Sequence, residues 1–149
     1  MKHTSLFLIL SILMIPFANT STQVSTDDIL GIWQTGSGKA RVQIKKAGTK
    51  YYGQIVWLKT PLNNEGKPKH DLNNPDIAKR QQPLIGLHML LGFEYVGGNR
   101  WENGTIYDPE NGKTYSCKAE LINENSLNIR GYIGFSLIGR TDTWTRVSK

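Results

Sequence analysis

Eight short, strand-like runs recur between Gly31 and Val147, and most are joined by connections rich in Gly, Asn or Pro. That rhythm restricts the fold more than any other feature. The clearest run is ARVQIKK (40–46), where Ala40, Val42 and Ile44 fall on one face and Arg41, Gln43 and Lys45 on the other. Successive side chains of a pleated strand point to opposite sides, so this period of two marks a half-buried antiparallel strand. The other runs are GIWQT (31–35), YYGQIVWL (51–58), LHMLLGFEY (87–95), RWENGTIY (100–107), TYSCKAEL (114–121), SLNIRGYI (126–133) and RTDTWTRV (140–147). The links AGTK, VGGN, DPENGK and INEN carry the residues that tight hairpins require. Eight strands at regular spacing predict an all-β domain, either a sandwich or an antiparallel up-and-down barrel.

One segment interrupts the rhythm. Residues 59–83, KTPLNNEGKPKHDLNNPDIAKRQQP, hold 25 residues and four prolines. Within it Asn74-Pro75-Asp76 combines a capping side chain, a first-turn proline and an acid near the positive helix end, so DIAKRQ is predicted to form one or two helical turns. STDDIL, before Gly31, offers a second short helical turn. Long connections of this kind are lids or binding loops in many compact domains.

The N-terminus belongs to a different class. Lys2 and His3 precede the apolar run LFLILSILMIPFA (Leu6–Ala18), and small polar residues follow. A basic start, a short apolar core and small residues describe a secretory signal over residues 1–20. A membrane-spanning helix needs about 20 apolar residues, so this run is too short to span. The expectation is one barrel domain over residues 27–149, exported to a bacterial periplasm or secreted. Without Lys2 the formal charge falls from +6 to +5, with the basic residues scattered. Scattered charge of this kind reads first as ordinary surface solubility, and for an exported chain anionic envelope components or acidic small molecules are more plausible partners than nucleic acid. Cys117 is the single cysteine, so no intramolecular disulfide forms and the fold rests on its core.

Gly31-Ile32-Trp33 on the first strand, Arg146 on the last and eight strands between them resemble the calycin pattern of lipocalins, fatty-acid-binding proteins and avidins. The resemblance implies a lipocalin-like barrel in which Trp33 plugs one tapering end and the Arg146 guanidinium lies across the indole. Such an interior has room for side chains or one small ligand. Four blocks, GQIVWLKTPLNNEGKPKHDLNNPD, PLIGLHMLLGF, GTIYDPENGKTYSCK and RGYIGFSLIGRTDTWTRV, also resemble a bacterial domain-of-unknown-function family of small exported proteins. That likeness implies export and a calycin-like barrel and carries over no catalytic residue. Cys117 stands where the pattern has a small residue, which makes its thiol incidental.

If Arg146 faces Trp33, alternation puts Trp144, Asp142 and Arg140 on the same interior face. Inward Arg and Asp are costly to bury unless paired. They therefore serve as a polar anchor for a ligand's carboxylate, amide or ureido group, or form a mutual ion pair, or sit at the barrel mouth. Trp57, Trp101, Tyr107 and Trp144 line an aromatic cavity or simply form core. Arg130 and Tyr132 resemble the Arg-x-Tyr carboxylate grip of fatty-acid-binding proteins, but lie one strand earlier than that pair. Alternation moreover makes Leu127, Ile129, Gly131 and Ile133 the inward set. Asp108, Glu110, Lys113 and Tyr115 cluster in IYDPENGKTY, where Asp-Pro and Asn-Gly are turn chemistry. His70 and His88 are too few for a three-histidine site, and DLNNPD (71–76) lacks the glycine and glutamate of a calcium loop. No metal ligand, cofactor site or catalytic motif is expected.

The leading expectation is a non-enzymatic barrel holding a small apolar or amphipathic ligand, with Arg140, Asp142, Trp144, Trp57 and Tyr107 as binding residues. A second is an envelope protein-interaction module with a packed barrel acting through the 59–83 loop. A third is a hydrolytic or other enzyme built on a carboxylate or tyrosine.

Overall fold

The computed structural model describes residues 23–135 and 137–149. The predicted export segment (1–20) therefore lies outside the described residues. Eight antiparallel strands follow in order: β1 (Gly31–Gln34), β2 (Ala40–Ala47), β3 (Lys50–Leu58), β4 (His88–Gly97), β5 (Arg100–Asp108), β6 (Lys113–Asn123), β7 (Ser126–Tyr132) and β8 (Gly139–Ser148). Each pairs with its chain neighbour and β8 pairs with β1, closing an up-and-down barrel. Closure leaves no strand edge unpaired, which resolves the choice between sandwich and barrel. The alternation survives in the burial: Leu127 and Ile129 of β7 and Cys117, Ala119 and Leu121 of β6 are buried, and the residues between them are not.

One end of the barrel is plugged. Trp33 is fully buried and its indole N–H donates to the Ile29 carbonyl. Arg146, register-paired with Trp33, places its guanidinium 4.0 Å from the indole centroid. The same guanidinium donates to the carbonyls of Asp28, Leu30 and Glu124. It thus ties the N-terminal turn and the β6–β7 hairpin to the plug. Gly31 is required beside it. Its φ is +126°, and a Cβ there would lie 2.4 Å from the Ser148 carbonyl oxygen.

The STDDIL segment forms a turn, held by Leu30 N–H to the Asp27 carbonyl. The helix predicted in the long loop shrinks to one 3-10 turn, Ile77–Lys79. Its cap is Asp76, which accepts from the Ala78 amide, not Asn74. Asn74 is occupied elsewhere: its side-chain Oδ1 accepts from the Asp76 amide and its side-chain Nδ2 donates to Asp71.

Candidate ligand-binding surface at the open end

Register places the C-terminal signature in the barrel wall. Leu121, Leu127 and Trp144 form one cross-strand row; Ala119, Ile129 and Asp142 form the next; Cys117, Gly131 and Arg140 form the third. Arg140, Asp142 and Trp144 thus share the inner face, as alternation predicts, but they do different work. Trp144 is buried core. Asp142 is half-buried, and one of its oxygens accepts from the Trp144 indole at 2.7 Å and from the Gly36 amide at 3.2 Å. It therefore latches the β1–β2 turn to β8. A Cβ on Gly36 would come within 2.1 Å of Asp142 Oδ1, so the latch needs glycine there. Arg140 makes none of the ion pairs found among the described residues and is exposed at the mouth. Of the alternatives for this pair, the mutual ion pair is absent among the described residues: Asp142 is a latch and Arg140 takes the exposed position at the mouth.

Below this rim the interior is filled. Trp33, Trp101 and Trp144 are fully buried, and Tyr51, Leu90 and Phe93 pack with them. Large and small residues interlock: a Cβ on Gly104 would fall 2.4 Å from the Phe93 ring. The space left between Ile29, Ile44, Leu90, Phe93, Ala119 and Ile129 is about 10 Å³, the threshold for holding one water. Burial pushes the Cys117 thiol up to about 12, leaving it protonated and inert.

Two residues expected in a cavity lining lie outside it. Register passes from Val42↔Ile55 to Arg41↔Trp57, so Val56 is an extra residue in β3. That bulge turns Trp57 onto the outer surface, where Arg41 stacks over it at 4.6 Å. Tyr107 pairs with exposed Thr114, one position from inward Ile106, and so also points outward. It is nonetheless buried, because the 59–83 loop covers it. Tyr107 donates to Asp71 at 2.7 Å, and Asn74 donates to the other Asp71 oxygen at 2.7 Å. Asp71 is wholly buried. Burial first, then the Asp71 contact, pushes Tyr107 from its ordinary value up to about 12. Asn73 adds bonds to the Pro109 and Glu110 carbonyls. The loop is a fixed plate on the outer wall.

Arg130 and Tyr132 lie on the outer face. Arg130 donates to the Thr141 hydroxyl and the Leu137 carbonyl. Asp108 accepts from the Glu110 amide and Asn111 side chain, the expected turn chemistry. His70 sits in the long loop opposite Pro83, and His88 opens β4. Among the described residues no group of three His, Cys, Asp or Glu could hold a metal ion. No described helix is long and apolar enough to cross a membrane.

The feature that sequence reasoning missed is the β7–β8 turn. Ile133, Phe135, Leu137 and Ile138 are 67%, 78%, 89% and 69% exposed. Four large apolar residues on one hairpin tip, two residues before Arg140, form the most apolar exposed stretch of the open end. The signal was present in the sequence. Where other connections read VGGN or INEN, this one reads IGFSLI.

Comparison with curated proteins finds no match. Among solved structures the chain is similar to a protein from the human pathogen Helicobacter pylori, HP1028, described as belonging to the lipocalin family. The TM-score is 0.69 and the identity 25%, covering 80% of this chain and 83% of that one. Residues 31–146, from β1 to the end of the Trp33–Arg146 plug, match the model of a family described as uncharacterized proteins conserved in bacteria, DUF2147. The chain is a lipocalin-like barrel and belongs to the DUF2147 family.

Proposed function

We propose that this barrel is an exported, non-enzymatic binding protein that recognises an amphipathic, anionic small molecule at its open end. The apolar part lies against Ile133, Phe135, Leu137 and Ile138, and the acidic head meets Arg140, whose planar fork suits a carboxylate or phosphate. One observation carries this reading. The described core is packed around a space of about 10 Å³, while the rim pairs an exposed cation with four exposed apolar side chains. Exposed apolar clusters of this kind mark interaction sites. The lipocalin-like architecture supports a binding role over a catalytic one. The nearest thing to a carboxylate–tyrosine site, Asp71 with Tyr107, is buried and spends its polar atoms on loop anchoring.

The test is an NMR titration of residues 23–149 with decanoate below its micelle concentration. Saturable amide shifts confined to 131–142, weakened at least fivefold in Arg140→Ala, support the reading. Shifts centred on Ile129 and Leu90 would instead place the ligand inside the barrel, and an unsaturable response would refute a site altogether. The filled interior favours one second reading, a packed interaction module acting through the 59–83 plate. Loss of partner capture on deleting that loop, with the barrel still folded, would support it.

A further inference from the structure

We propose that the open end docks on an anionic lipid bilayer, with the 133–138 tip entering the headgroup region. This rests on the reading of the open end as the recognition surface for anionic amphiphiles, and goes beyond it by naming a bilayer of such molecules as a partner.

Three observations carry it. The first is shape. A surface of four exposed apolar side chains on one hairpin turn is far smaller than the roughly 20–30 residues per side of a stable protein interface, whereas interfacial insertion needs only a few apolar side chains with cations behind them. The second is backbone satisfaction. Groups entering a water-poor layer must already be bonded. Two amides and three carbonyls of the tip meet this condition: Ile133 N–H donates to the Ile138 carbonyl, Ile138 N–H to the Phe135 carbonyl, and Arg130 caps the Leu137 carbonyl. The third is charge. Segments 35–41, 108–115 and 130–142, which form the open end, carry five Lys and Arg against three Asp and Glu, and the 59–87 plate on the wall beside it carries a further five against three. The rest of residues 23–149 carries seven against six. The basic surplus therefore lies on the end that bears the apolar tip together with the loop plate beside it. Arg140 stands just behind the tip, where a long stem lets its head reach phosphates as the apolar side chains enter.

The experiment is flotation of residues 23–149, which hold all eight strands and the described core, with phosphatidylcholine vesicles, with or without one-third phosphatidylglycerol. The expected result is binding at least tenfold stronger with phosphatidylglycerol, falling severalfold between 50 and 500 mM salt. Phe135→Ser/Leu137→Ser should weaken binding at least tenfold while the melting temperature stays unchanged, since both side chains are exposed. A second readout uses Leu137→Cys carrying an environment-sensitive fluorophore, which labels selectively because Cys117 is buried. Its emission should shift to the blue on adding the mixed vesicles.

Equal binding by wild type and the double variant, no binding, or no blue shift overturns the proposal. So does sedimentation showing a wild-type dimer that the double variant converts to monomer, because the tip would then meet a second copy. Vesicle binding lost with decanoate shifts retained removes only membrane docking. Loss of both removes the open-end reading.

Discussion

Replacing Tyr107 by phenylalanine tests the anchoring of the long loop in both size and pH dependence. The ring stays, so the packing over β5 is preserved and only the hydroxyl is lost. Asp71 is wholly buried and accepts from Tyr107 and Asn74, one donor on each oxygen. Removing one donor should cost about 1.5–3 kcal/mol, the range for hydrogen bonds to charged groups. The alkaline behaviour follows from the raised Tyr107 pKa, about 12 folded against 10.0 for the free side chain. Between those values the unfolded chain has lost the phenolic proton and the folded one has not. Stability present in full below pH 10 is therefore lost as pH rises toward 12, by up to about 1.4 kcal/mol per unit. The Tyr107→Phe variant has nothing to titrate at this position. The gap between wild type and variant should thus narrow by about 1.4 kcal/mol between pH 7 and pH 11. Cys117, also raised to about 12, adds a loss of the same sign, so both proteins should carry Cys117→Ala. The assay is urea unfolding followed by tryptophan fluorescence, with unchanged m-values as the control. A gap below about 0.5 kcal/mol at pH 7, within the range of ordinary surface substitutions, or one equally large at pH 11, would refute the reasoning.

Arg146→Met keeps much of the stem over Trp33 but loses the cation–π contact, about 0.5–2 kcal/mol, and strands three carbonyls. A melting temperature lowered by at least 5 °C is the expected readout. Gly36→Ala should destabilise by about 1–3 kcal/mol through overpacking against Asp142. In an Asp142→Ala background the same change should cost distinctly less, so a double-mutant cycle by thermal melting should be non-additive. Cys117 should resist iodoacetamide at pH 8 in the folded protein and react fully in urea, as mass spectrometry would show.

The barrel was legible because its signals are local and repetitive. Alternation in ARVQIKK and turn chemistry in VGGN and DPENGK each act on one neighbour pair; seven such pairs run along the chain, and the non-local β1–β8 pair closes the circle. Trp33 with Arg146 was legible as a pair because residue types at the two ends of the chain fit one packing motif. Trp57 was misplaced because a single bulge flips the face of every residue beyond it, and no residue in QIVWL announces an extra position. Tyr107 has outward parity, yet the cover that buries it comes from Asp71 and Asn74, more than thirty residues away. Arg140 and Asp142 share a face, as parity requires. Their separation into exposed cation and seam latch depends on the Gly36 amide, contributed by the opposite end of the chain.

The filled interior bears directly on where recognition takes place. A site for a drug-sized ligand is a pocket of about 300 Å³ or more, and the space left between Ile29, Ile44, Leu90, Phe93, Ala119 and Ile129 is about 10 Å³. Opening the difference would mean expelling several aromatic side chains, each worth roughly 3–5 kcal/mol when removed from a core. That sum is comparable to the whole stability of an ordinary domain, about 5–15 kcal/mol. The rim faces no such cost. Ile133, Phe135, Leu137 and Ile138 are already exposed and Arg140 already stands in solvent. A ligand or membrane there gains apolar burial without displacing core. Covering those four side chains should therefore raise stability by mass action, so saturating decanoate should raise the melting temperature of the wild type and leave that of Phe135→Ser/Leu137→Ser unmoved. An equal rise in both proteins would mean that the ligand has found a way into the barrel after all.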